Sequence, residues 1–141
     1  MNQWHPKGIG IKNLLGAFIL GSKNADAVVY IISVDSVFIL LNEPGIIILD
    51  IRSLDDYQLD HIPGAVHVSR SDLIKGSGKA FSLPKDKKLI IYDQEGDMTQ
   101  IKLVAQIFGR AGFQYIFWLF GGYLSWLEKG MSTESERREH E

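Results

Sequence analysis

The chain of 141 residues carries 15 basic and 17 acidic side chains for a formal net charge of −2, and it contains no cysteine. That length suits one domain around a single core and is short for two. Without thiols, disulfides, thiolate metal centres and cysteine nucleophiles are all excluded, and the absence of a basic run argues against a nucleic-acid partner.

Residues 14–20, Leu-Leu-Gly-Ala-Phe-Ile-Leu, form the first apolar stretch. It is far shorter than the ~20 residues that span a bilayer, so no membrane span is expected. Lys7 and Lys12 precede it and Ala25-Asp26-Ala27 follow, an order that resembles an export signal. Lys23, Asn24 and Asp26 place charge and polarity where such a signal is usually neutral. The expectation is therefore an N-terminal extension over residues 1–27, a helix docked on the domain through Leu14, Leu15, Phe18 and Ile19, in a cytoplasmic protein. Export through this segment is the alternative.

Residues 28–32 predict a short strand, and Ser33 is suited to cap a helix with Val34, Val37, Phe38 and Leu41 on one face. The β-branched run at residues 46–51 predicts a strand buried on both faces of a parallel sheet. Ser53, with Asp56 three residues later, opens a short helix reaching about Asp60. Residues 65–68 predict a strand, 71–75 a helical turn, 76–78 a flexible loop and 89–92 another buried strand. Ile101, Val104, Ile107, Phe108 and Ala111 mark one face of a helix within residues 97–111, stopped by Gly112. A strand at residues 115–118 and a helix at about 122–129 complete the domain, taken as residues 28–130. The polar residues 131–141 are expected to be a disordered tail. Strands alternating with helices imply an α/β class.

Several blocks carry a resemblance: residues 46–52 ending in Asp50-Ile51-Arg52, then Asp60-His61-Ile62-Pro63-Gly64-Ala65, the strand and loop ending at Thr99, Gly112-Phe113, and Gly121-Gly122 with Trp126. Together they resemble a rhodanese (sulfurtransferase) homology domain, with the His-Ile-Pro-Gly-Ala block as the most specific part. The resemblance implies a rhodanese-like fold, a central mainly parallel five-stranded sheet flanked by helices on both faces. In active members a cysteine after the strand at residues 89–92 takes up sulfur as a persulfide. Asp93 stands where the resemblance puts that cysteine, and a carboxylate cannot form a persulfide.

The binding loop is accordingly expected over Asp93, Gln94, Glu95, Gly96, Asp97, Met98 and Thr99, with no catalytic residue and no cofactor. Met98 stands where many active members carry an arginine, and the three carboxylates should repel anionic sulfur donors. Asp93 is expected to fold into the loop's backbone N–H groups as a built-in anion. No metal is expected; the only candidate ligands are Asp93, Glu95 and Asp97 at alternate positions. A phosphate-accepting aspartate is a further possibility that lacks its companion motifs.

Asp50 and Arg52 match the family framework, with Arg52 a possible anion contact. His61 is expected to orient a turn fixed by Pro63-Gly64, and His5, His67 and His140 show no metal-ligand spacing. Trp118 and Phe120 are candidates for an exposed patch that binds a partner. The expected function is a non-catalytic binding or regulatory module whose partner is another protein. The alternative is a sulfurtransferase-related enzyme with altered, metal-assisted chemistry in the carboxylate-rich loop.

Overall fold

The computed structural model describes residues 14–20 and 27–136, with side chains from residue 28 onward. Six strands form one sheet in the order β1-β2-β6-β5-β3-β4: β1 Leu14–Leu20, β2 Ala27–Ile32, β3 Ile46–Asp50, β4 Val66–His67, β5 Lys88–Tyr92 and β6 Tyr115–Leu119. The last five are mutually parallel and make the expected central sheet. Five helices accompany them: α1 Val34–Leu40, α2 Leu54–Leu59, α3 Arg70–Lys75, α4 Thr99–Arg110 and α5 Gly122–Glu128. A 3₁₀ turn at Lys79–Ser82 follows the Gly76–Gly78 bend.

Because strand side chains alternate between faces, the parallel strands divide their residues between two cores. Val29, Ile31, Leu49, Leu89, Ile91, Ile116 and Trp118 pack with Leu73 of α3 and with Ile101, Val104, Ala105 and Phe108 of α4. Ile32, Ile48, Ile90, Tyr92, Phe117 and Leu119 pack on the other face with Val34, Val37 and Leu40 of α1 and with Tyr123 and Trp126 of α5. Both faces are covered, which is why β3, β5 and β6 read as unbroken apolar runs. Local capping agrees: Ser33, Ser53 and Ser69 accept the N–H groups of Ser36, Asp56 and Asp72.

Four expectations are corrected. The stretch at residues 14–20 is a strand, antiparallel to β2, with the register shifting between Leu14 and Gly16. A short apolar run fits either periodicity, and the open hydrogen-bonding edge of β2 decides for pairing. Trp118 is fully buried against α4, because both parities of a doubly covered strand point into a core. Phe38 is 53% exposed, and Leu40 takes the inward position on α1. Residues 131–136 form an ordered strap: Trp126 Nε1 donates to the Ser132 carbonyl at 2.8 Å. His61 and Glu134 exchange backbone hydrogen bonds of 2.8 and 3.0 Å, and Glu136 N–H reaches the Gln58 carbonyl at 3.1 Å. Residues 137–141 of the expected tail lie outside the described residues.

Candidate functional site

The carboxyl ends of β3 and β5 lie side by side, Asp50 opposite Tyr92 in parallel register. Loops leaving this rim of a parallel sheet are where ligands bind. The β5 strand releases the segment Asp93 to Met98, which leads into α4 at Thr99. Both carboxylate oxygens of Asp93 turn back into that loop, Oδ1 accepting the N–H of Gly96 at 2.5 Å and Oδ2 the N–H of Asp97 at 3.0 Å. Burial raises the Asp93 carboxyl above its ordinary value, opposed by these N–H groups. Asp97 in turn accepts the side chain and N–H of Thr99 at 2.8 and 3.0 Å, which lowers its carboxyl below the usual range.

The loop rests on the start of α5. Tyr123 N–H donates to the Asp93 carbonyl at 2.9 Å and Leu124 N–H to the Gln94 carbonyl at 3.0 Å. The approach is so close that a Cβ on Gly96 would lie 2.5 Å from the backbone N of Gly121, and one on Gly122 would lie 2.5 Å from the N of Gly96. This backbone packing explains Gly122, whereas a Cβ on Gly121, at φ +77°, would run into the Ser125 side chain.

Beneath the loop sits a buried ionic group. Arg52 Nε and Nη2 hold the Asp50 carboxylate at 2.8–3.1 Å, Nη2 also donates to the Asp60 carbonyl at 2.6 Å, and Nη1 reaches Gln94 Oε1 at 3.1 Å. Its guanidinium carbon lies 4.0 Å from the Tyr123 ring centre. Burial works against the charge, but the hydrogen bonds and charge of Asp50 prevail and keep the guanidinium above its usual range. The hydrogen bonds of Arg52 described above are all made inside the fold. Arg52 joins the framework, tying β3 to the loop through Gln94 and to the chain leaving α2 through Asp60.

Asp93, Gln94 and Gly96 thus share one compact loop. Asp93, Glu95 and Asp97 do not converge: among the described residues, the only His, Asp or Glu trio whose ligand atoms lie within 4.8 Å of one another is His61, Glu134 and Glu136. Met98 is 47% exposed at the loop's end and Phe120 is 51% exposed beyond β6. Phe120 borders a surface cleft of about 320 Å³ shared with Ser33, Val34, Ser125, Glu128 and Lys129. His61 is buried, stacks on Tyr57 at 4.0 Å between ring centres, and its Nδ1 lies 2.6 Å from the Tyr57 carbonyl. Sequence reasoning missed Glu134 and Glu136 because a polar terminal segment carries no periodic signal. His61 itself was read only as orienting the turn at Pro63-Gly64.

Residues 33–129 match the Rhodanese-like domain family, and the chain belongs to it. It is 34% identical over 87 residues to a protein named thiosulfate sulfurtransferase GlpE from Coxiella burnetii, an alignment covering 62% of this chain and 77% of that one. It is 29% identical over 87 residues to the uncharacterized protein YibN of Escherichia coli, covering 62% and 59% of the two chains. Among solved structures, the Alr3790 protein from Anabaena superposes with a TM-score of 0.62 at 30% identity, covering 73% of this chain and 81% of that one. Thiosulfate sulfur transfer of the kind that names its relatives proceeds through a cysteine persulfide. This chain has no cysteine, and it is an inactive variant in that respect.

Among the described residues, no helix is long and apolar enough to cross a membrane.

Proposed function

We propose that this chain is a non-catalytic rhodanese-like module that acts by binding another protein, with Asp93 in the position of the sulfur-carrying cysteine. The observation that carries the reading is the pair of hydrogen bonds from Gly96 and Asp97 N–H to the Asp93 carboxylate. Backbone N–H groups that would otherwise face an incoming anion are taken up by a side chain of the loop itself. The loop keeps a bound-like shape without a ligand, and its outer surface, from Glu95 to Met98, becomes the contact surface. Exposed Phe120 supplies a nearby apolar anchor. The pairing of residues 14–20 with β2 supports treating that stretch as part of the fold.

Two measurements test the reading together. Wild type should give no thiosulfate-to-cyanide turnover, whereas Asp93→Cys should form a persulfide detectable by intact mass. Affinity capture by wild type should weaken with Phe120→Ala and with Glu95→Lys. Turnover by the wild-type chain, or capture indifferent to both surface variants, would remove the proposal.

A further inference from the structure

The strap brings two carboxylates to a buried imidazole on the side of α2. His61 Nε2 lies 3.4 Å from Glu134 Oε1 and 3.4 Å from Glu136 Oε1, and the imidazole is fully buried while the two glutamates are about half exposed. Neither contact is a hydrogen bond, and Nε2 has no hydrogen-bond partner at all. At the other ring nitrogen, the Tyr57 carbonyl can only accept, so the 2.6 Å contact fixes the proton on Nδ1. With the proton on Nδ1, the Nε2 position faces two carboxylates, three acceptors meeting with no donor between them. The two oxygens stand at the same distance from Nε2.

We propose that His61, Glu134 and Glu136 form a binding site for a divalent transition metal of the zinc type. Ligand atoms about 2.0–2.2 Å from a tetrahedral zinc ion are ~3.4 Å apart, the separation of His61 Nε2 from each glutamate oxygen. The surrounding groups are those that orient metal ligands. Nδ1 donates to the Tyr57 carbonyl. Gly64 N–H holds Glu134 Oε1 at 2.7 Å, while the single proton of the Tyr57 hydroxyl goes to the Ala65 carbonyl at 2.8 Å and leaves Glu136 Oε1 free to turn to an ion. Water completes the coordination from the exposed glutamate side. The ion fastens the strap to the His61 turn, so binding raises the stability of the folded chain by mass action. This site is separate from the Asp93 loop and stands without the proposed function.

The test uses the full chain stripped of metal with a chelator, titrated calorimetrically with zinc chloride alone and, in parallel, magnesium chloride. One zinc per chain is expected, with a raised melting temperature, a shift of the His61 Nε2 resonance in nitrogen NMR and no comparable magnesium response. Glu134→Gln with Glu136→Gln keeps the acceptor for Gly64 N–H and should weaken zinc binding by at least about tenfold. The Glu136→Gln single variant and the wild-type NMR signal provide the same reading if the double variant folds poorly. Absence of stoichiometric zinc binding would overturn the site, as would affinity unchanged in the variants, which would place the ion on other histidines. Melting that follows pH but ignores zinc would also overturn it, because a proton would then be what joins the three groups.

Discussion

The hydroxyl of Tyr92 donates to Oδ2 of Asp50 at 2.5 Å and accepts the N–H of Ile62 at 3.2 Å, joining the ends of two central strands to the turn that contains Pro63 and Gly64. Burial, then the charge of Asp50, pushes the phenol far above its ordinary value, so it serves only as a neutral donor. Tyr92→Phe leaves Ile62 N–H unpaired in the interior and removes one donor from Asp50. A loss of roughly 1–3 kcal/mol is expected, read as a lower urea midpoint with an unchanged slope.

Removing one member of the Asp50–Arg52 pair strands a buried charge. Arg52→Met should cost about 3–5 kcal/mol, measured by chemical denaturation. Arg52→Lys should rescue little of it, since a single ammonium cannot bridge Asp50, the Asp60 carbonyl and Gln94 together.

Asp93→Asn tests the loop. Asparagine offers one acceptor oxygen and turns an amide donor toward the remaining N–H, so stability near neutral pH should fall by roughly 1 kcal/mol. The pH dependence has a definite sign. Burial raises the carboxyl in the folded chain, so the folded state holds its proton more tightly than the unfolded state. The associated stability is fully present below the unfolded pKa and is lost as pH rises through the folded value. The advantage of wild type over Asp93→Asn should therefore shrink with rising pH in a window that opens at about pH 3.9, the ordinary carboxyl value. Denaturation midpoints of both proteins across that range check it, and a gap that widens with pH would contradict the assignment.

Gly96→Ala should displace the loop from the start of α5. Gly96 has φ +75° and its added Cβ would meet the backbone of Gly121 at 2.5–2.8 Å, where no side chain can swing aside. Gly45 has φ +79° but open space around it. Gly45→Ala therefore reports the conformational cost alone, about 1 kcal/mol, and Gly96→Ala should exceed it clearly in thermal melting.

Truncation after residue 131 removes the acceptor for Trp126 Nε1 and the backbone partner of His61. The shortened chain should melt earlier, and limited proteolysis should cut first in residues 54–65.

Much of this architecture was legible because β3, β5 and β6 are apolar on both parities, a pattern that belongs to a parallel sheet covered twice. Ser33 and Ser53 announced their helices through capping chemistry that depends on a few adjacent residues. Apart from Phe38, set on the wrong face of α1, the failures involve partners outside the segment itself. Residues 14–20 needed the open edge of β2 to choose strand over helix, and Trp118 needed α4 above it to be hidden. The strap needed His61 and Trp126 to hold residues 132–136. In the loop, the place of Asp93 directly after β5 was visible at once, whereas the glutamates beside His61 carried no local mark.

The direction of β1 has a practical consequence. Leu14 pairs with Ile32 while Leu20 pairs with Ala27, so the chain enters the sheet at the end where the parallel strands finish. An amino-terminal fusion or affinity tag is thereby joined, through residues 1–13, to Leu14 on the same rim as the Asp93 loop. Interaction screens built on such fusions should be repeated with the tag cleaved, because a bulky passenger at that position competes for the approach a partner would use.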